Sequence, residues 1–439
     1  MTRGRRVLVD RRLRTCLLAA LTVLAAVVAT PAASAARAGS PGAGGAGVGS
    51  PGGGRAISKA ASSRAVQVSA NHVSANPFGG RAMWIWVLSR SNGGNVQSII
   101  ASARRYHLNT VMIKSGDGSS LWSQFTPQLI SQLHAGGLRV CAWQYVYGTH
   151  PGAEAQVGSS AVSDGADCLL IDAEVEYEGK YSQAQTYITQ LRQLIGARFP
   201  VALAGFPYVD YHPAFPYSVL MGPGGAQYNV PQMYWAAIGT TVDHVYAHTF
   251  VFNRLYGRPI SPLGQVYNNP PPRQIVRFRS LSRTYGAPGV SWWDWQETTH
   301  AGWHAISQPA GPPGGFTADT SLARLGLGAR GDVVVWAQEH LRTAGYKIAV
   351  DGAFGAATKA AVGRLQAAGN LPSTGLIDTA TWQVLLRYAP VHVRWASNQT
   401  ARTASAASAS GTTPAPKSAS LPEVRNEIAG AGGAGGPGR

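Results

Sequence analysis

The chain has 439 residues, 45% of them hydrophobic and 13% charged, and carries a formal net charge of +17. The length leaves room for two or three domains, and three cysteines with no Cys-x-x-Cys or other zinc spacing exclude a disulfide-dense or zinc-held scaffold. The basic balance suits an anionic partner such as an acidic wall polymer or a membrane surface, and the lack of a dense Lys/Arg cluster interleaved with aromatics argues against nucleic acid.

At the N-terminus, "MTRGRRVLVDRRLRT" is a basic region, "CLLAALTVLAAVVA" an apolar one, and "ATPAASAARA" offers small-residue cleavage sites near Ala33 to Ala36. Residues 1–36 are therefore expected to be an export signal, too short in its apolar run to remain as a membrane span. The segment holds six Arg against one Asp, so its removal leaves a charge of +12. Arg11-Arg12 hints at twin-arginine export in a poorly matching context. Residues 37–78 are Gly, Ala, Ser and Pro and read as a disordered linker.

From residue 80 short apolar runs recur: "MWIWVL" (83–88), "TVMIKS" (110–115), "RVCAWQYV" (139–146), "CLLIDAE" (168–174), "VALAGFP" (201–207), "VPQMYW" (230–235), "SPLGQVY" (261–267) and "GVSWWDWQ" (289–296). Helical-length segments separate them, among them 94–106, 126–136, 181–197, 241–255 and 272–284. Eight strands alternating with helices over this length predict a (β/α)8 TIM barrel across residues 79–305. A doubly wound open sheet is the alternative, and no Gly-rich first turn supports it. Residues 306–320 read as a Pro/Gly linker, 321–388 as a compact segment, and 389–439 as a disordered tail.

In such a barrel, function collects where the strands end. Strand two ends in Lys114 and runs into Asp117. Strand three carries Trp143, Gln144 and Tyr145. Strand four delivers Asp172, Glu174 and Glu176, which share one face if the strand continues. Strand six carries Gln232, Tyr234 and Trp235, strand seven Gln265 and Tyr267, and strand eight Asp294 among Trp292, Trp293 and Trp295. Crowded carboxylates raise one another's pKa, so one can hold a proton near neutral pH and give it to a glycosidic oxygen. Glu174 is the expected acid, Asp172 the neighbour that sets its pKa, and Asp294 the second carboxylate. Lys114, Asp117, Trp143, Tyr145, Glu176, Gln232, Tyr234, Trp235, Gln265 and Trp293 are the expected glycan-binding residues. No cofactor is expected. Nor is a metal: His244 and His248 lie four apart on a predicted helix without an accompanying Glu motif.

Cys141 and Cys168 lie early on consecutive predicted strands, in a chain expected to meet an oxidising compartment, and are expected to pair. Pairing puts both on one face, which aims Trp143 and Tyr145 with Asp172 and turns Gln144 away.

Residues 325–386 resemble the peptidoglycan-binding domain, a three-helix module of bacterial cell-wall proteins. The resemblance lies in Gly331-Asp332, Leu341, Gly345-Tyr346, "DGAFGAAT" (351–358), Gln366, Leu371, Gly375 and Thr381-Trp382. Trp336 and Glu339-His340 stand where an aliphatic and variable residues are usual. "LPSTG" (371–375) fits the sortase anchoring pattern, yet it lies inside the module with no apolar span after it. Residues 80–305 resemble the glycoside-hydrolase-like barrels fused to such modules in actinobacterial cell-wall proteins. Asp172-Ala173-Glu174 is similar to the Asp-x-Glu of barrel-type muramidases, in which the Glu is the catalytic acid; the Asp those enzymes carry on the first strand is missing from "MWIWVL". The resemblance implies a secreted, monomeric cell-wall protein that binds peptidoglycan, with either a hydrolytic or a purely glycan-binding barrel.

Overall fold

Alternate residues of the first strand, β1 (Gly80–Ile85), face opposite ways: Ala82 and Trp84 into one apolar cluster, Met83 and Ile85 into another. That two-sided burial, typical of parallel strands covered by helices, recurs in β2 (Thr110–Asp117), β4 (Arg139–Val146), β5 (Cys168–Ala173), β6 (Val201–Ala204) and β9 (Gly289–Trp293), and the short strands β7 (Tyr228–Asn229) and β8 (Leu263–Gln265) complete the set. A two-residue strand, β3 (Ser120–Leu121), pairs antiparallel with the end of β2. The computed structural model describes residues 76–396. The export signal, most of the first linker and the tail beyond residue 396 lie outside the described residues.

The eight main strands pair in parallel in the order β7-β6-β5-β4-β2-β1-β9-β8. Bridges Asn229↔Ile260 and Gln232↔Leu263 join the two ends of that order, so the sheet closes into a barrel. Helices α1 (Val96–Arg105), α2 (Pro127–Ala135), α3 (Pro151–Ser163), α4 (Tyr181–Ile195), α5 (Tyr217–Leu220), α6 (Trp235–Ile238), α7 (Val242–Asn253), α8 (Pro272–Thr284) and α9 (His300–Ser307) fill the connections. Several starts are set by side chains that cap free amides: Asn95 accepts from Ser98, Thr126 from Leu129 ahead of Pro127, Thr241 from His244 and Thr299 from Gly302. No described helix is long and apolar enough to cross a membrane.

The architecture is the expected (β/α)8 barrel, with shifts at particular strands. The first strand begins at Gly80 rather than Met83. Regular pairing of the sixth barrel strand ends at Asn229, and the expected run 230–235 leads through one bridge into α6. Cys141 and Cys168 are opposite each other on β4 and β5, with Cα atoms 4.6 Å apart, and are joined by a disulfide inside the barrel.

After the barrel the chain forms a C-terminal helical module of α10 (Asp332–Thr343), α11 (Ala356–Ala368) and α12 (Thr379–Leu385). Two buried amides hold its loops. Gln338 accepts from the backbone of Asp351 and Gly352, and Gln366 accepts from Gly375 while donating to Leu376. The "LPSTG" segment is thus pinned inside the module. The three departures from the module pattern all lie at its seams. Trp336 donates its indole N–H to Leu255 of the barrel at 2.7 Å and packs on Tyr256. His340 lies edge-on to Trp336 and bonds the carbonyl of Tyr388, and Glu339 receives the amide of Val391 at its own carbonyl. The ordered chain continues past residue 388: Gln185 on α4 bonds Val393 and Trp395, and Trp395 packs on Tyr181.

Candidate functional site

The strand parity that buries Trp84, Met112, Cys141, Leu170 and Leu263 inside the barrel carries on to its C-terminal mouth. There the inward positions become Trp86, Lys114, Tyr145 and Asp172. The face that points away is equally clear at Gln144, whose amide is buried outside the barrel against the carbonyls of Gly118 and Glu154. Trp293 packs edge to face on Trp84 and Trp143, which are tilted against each other, with centroids 5.3–5.7 Å apart, and the three form the floor of the mouth. Trp143 and Trp293 are nearly covered, so they support the site rather than offer open stacking faces.

A bulge explains how two residues of odd spacing share the mouth. The β2–β4 register slips between Lys114 and Gly116, which pairs Lys114 with Trp143 and Asp117 with Tyr145, both inward. Gly116 is needed there, because a Cβ would come within 2.4 Å of Val157. Lys114 Nζ then reaches Asp117 Oδ2 at 2.6 Å and sits over the rings of Trp122, Trp143 and Trp86 at 4.3, 5.0 and 5.9 Å. Tyr147 donates to the other Asp117 oxygen.

The three carboxylates do not all lie on one strand. β5 ends at Ala173, and Val175–Tyr177 form a 3-10 turn. Tyr145 nevertheless gathers Glu176 into the mouth through a 2.7 Å bond. One side-chain amide serves the other two: Gln232 Nε2 donates to Asp172 at 2.9 Å and to Glu174 at 3.0 Å. Burial, then the Glu174 charge, pushes the Asp172 carboxyl well above the usual range, against the pull of Lys114. Burial likewise raises Glu174, opposed by the Gln232 bond and the His212 charge and reinforced by Glu176. Two adjacent, desolvated carboxyls sharing one donor hold a proton between them far more readily than free acids do.

Other expected residues are placed elsewhere. Trp235 turns out of the mouth into the outer core and donates to Gln274, because α6 begins at that residue. Gln265 is fully buried, accepts from the amides of Ala236 and Ala237 and so caps that turn. Asp294 is also fully buried: one oxygen accepts the Glu297 amide, the other has no partner, and burial pushes its carboxyl up to about 7. Tyr234 stays in the mouth, edge-on to Tyr267 and within range of the Asp172, Glu174 and Asp294 charges. His244 and His248 lie on α7, where His248 bonds Asp210. Among the described residues no group of three or more His, Cys, Asp or Glu could hold a metal ion.

Sequence reasoning passed over Trp86, Trp122, Tyr147 and His212. The first was legible, since Trp84 and Trp86 share parity at a strand end. The others reach the mouth through loop packing that no local pattern encodes.

No curated protein matches the chain. Among solved structures it is similar to a chitinase from Chromobacterium violaceum ATCC 12472, at 13% identity and a TM-score of 0.36 over 52% of this chain and 98% of that one. It is also similar to a fungal endo-beta-N-acetylglucosaminidase from glycosyl hydrolase family 18, at 14% identity and 0.40 over 52% and 96%. The Bacillus cereus spore cortex-lytic enzyme SleL follows at 10% identity and 0.39 over 52% and 73%. Over residues 330–385 the chain matches the family described as "Putative peptidoglycan binding domain".

Proposed function

We propose that the protein is an exported cell-wall glycan hydrolase whose module binds peptidoglycan and whose barrel mouth cleaves a glycosidic bond. The observation that carries this reading is the Asp172–Glu174 pair: two raised carboxyls on one amide, in a mouth lined by Trp86, Trp122, Tyr145 and Tyr234. Glu174, half-buried and just past the end of β5, gives its proton to the leaving sugar oxygen. Asp172, enclosed below it, keeps that proton available by resisting a second negative charge. Asp294 has no open face, so the solvent-facing carboxylate that would assist water is Glu176, held by Tyr145.

A second reading has its own support. Every carboxylate of the mouth already has a donor: Lys114 and Tyr147 for Asp117, Gln232 for Asp172 and Glu174, Tyr145 for Glu176. A network so satisfied can hold a glycan without reacting, and the barrel would then be a wall-binding lectin.

The deciding measurement is the release of soluble reducing ends from purified peptidoglycan by the full chain and by Glu174→Gln. The hydrolase reading expects a loss of about 10²–10⁴-fold in the variant with retention on peptidoglycan kept. Equal rates would remove Glu174 as the acid. Binding without release by the wild type would establish the lectin reading.

A further inference from the structure

The loop between β6 and α5, residues 205–216, touches both the module and the carboxylates. On the mouth side, His212 Nδ1 lies 2.8 Å from Glu178 Oε1, and its ring stacks on Phe206 with centroids 3.5 Å apart and planes within 7°. Glu178 closes the turn that begins at Glu174: Tyr177 donates to the Glu174 carbonyl and Glu178 to that of Val175. Gly179 then donates to Ala214, tying this turn to the His212 loop.

On the module side, Pro213, the residue next to His212, accepts the Asp332 amide at 2.8 Å. The Asp332 carboxylate, buried at the start of α10, takes four further donors from the barrel. Tyr181 and Ser218 hydroxyls bond Oδ1 at 2.9 and 2.7 Å, and the Ser218 amide and Tyr256 hydroxyl bond Oδ2 at 2.9 and 2.7 Å. Gly331 lies against Pro213 with a φ of 107°, and a Cβ there would come within 2.6 Å of the proline ring. The contact is therefore a tight dock with a charged hydrogen-bond anchor, unlike a tethered module free to swing.

We propose that the peptidoglycan-binding module is a positioning element of the barrel mouth: by holding Pro213 through Asp332, it fixes His212 on Glu178, the residue that closes the turn begun at Glu174. His212 is a positioning residue, since it acts on the acid and not on the glycan. Its charge favours the ionised form of Glu174, and Gln232 acts in the same sense. The ionisable groups around His212 are Glu178 and Glu174 from the turn after β5, Asp210 and Tyr211 on its own loop, and Tyr217 on α5; Asp210 is engaged by His248. The module dock and the turn that begins at Glu174 thereby share one loop, residues 205–216.

The proposal rests on the hydrolase reading for its kinetic arm only. In the full-length protein, the His212 imidazole is titrated by NMR in wild type, Asp332→Asn and Ser218→Ala, and the pH dependence of reducing-end release is recorded for these and for His212→Gln. Loss of the His212 charge makes Glu174 hold its proton to higher pH, so His212→Gln moves the alkaline limb upward. Asp332→Asn, and Ser218→Ala more weakly, change the His212 titration and move the limb with it. Identical His212 titration in wild type and both dock variants overturns the proposal, as does an unmoved limb in His212→Gln. If Asp332→Asn fails to fold, Ser218→Ala decides, because it removes one donor of the four. If the wild type releases no reducing ends, the hydrolase reading fails while the NMR titration still tests the coupling.

Discussion

The hydroxyl of Tyr256, at the end of the barrel segment that follows α7, donates to the buried Asp332 carboxylate of the module at 2.7 Å. Beside it the indole of Trp336 donates to Leu255, so barrel and module share one continuous apolar core. A module seated in this way has consequences for stability as well as for wall binding.

Removing the indole should expose that dependence. Trp336→Ala is expected to destabilise the whole described unit by about 3–5 kcal/mol, the usual cost of emptying a buried tryptophan site. Chemical denaturation followed by tryptophan fluorescence checks this. A separate, unchanged barrel transition beside a lost module transition would show that the two units fold independently.

Gln232 is the shared donor of the Asp172–Glu174 pair. Gln232→Leu leaves Asp172 and Glu174 without it, raises the proton affinity of Glu174 further, and is expected to lower reducing-end release by about 10²-fold. Steady-state rates on purified peptidoglycan across pH measure both effects.

The Cys141–Cys168 disulfide links strands 27 residues apart in sequence. Cys168→Ala should cost about 3–4 kcal/mol, mainly by freeing the unfolded chain. Thermal unfolding of the variant against the wild type, with both oxidised beforehand, gives the difference.

Asp294 makes stability depend on pH in a defined direction. Its carboxyl is pushed up to about 7 in the folded chain from the ordinary 3.8, and that of Asp332 up to about 6. Each binds more protons folded than unfolded across its gap, so its contribution is full below about pH 4 and is lost as pH rises towards 6 or 7. His340, pushed down to about 4, acts with the opposite sign up to its ordinary 6.5. Asp294→Asn should flatten the decline between pH 4 and 7, by an amount on the order of a few kcal/mol. Melting temperatures of the two proteins across that range test it; parallel curves would remove Asp294 as the source.

The sequence by itself determined the periodic features. Apolar runs and the helical-length segments between them recur at the number and spacing expected of a barrel, and parity together with the expected Cys141–Cys168 pairing aligns Trp143 and Tyr145 with Asp172. Gly331-Asp332 and the Gln366 loop mark the module for the same reason: their local geometry is written in neighbouring residues. Tertiary structure decided whatever depends on where a strand stops or what packs behind it. The end of β5 at Ala173 places Glu176 by a turn, the Ser115 bulge brings Asp117 to Lys114, and the start of α6 turns Trp235 outward. Asp294 reads like a rim carboxylate and is buried by residues distant in sequence. His212 meets Glu178, 34 residues away in sequence, where the loop after β6 lies against the turn after β5. Such placements arise from long-range packing, which a local pattern of residue types does not contain.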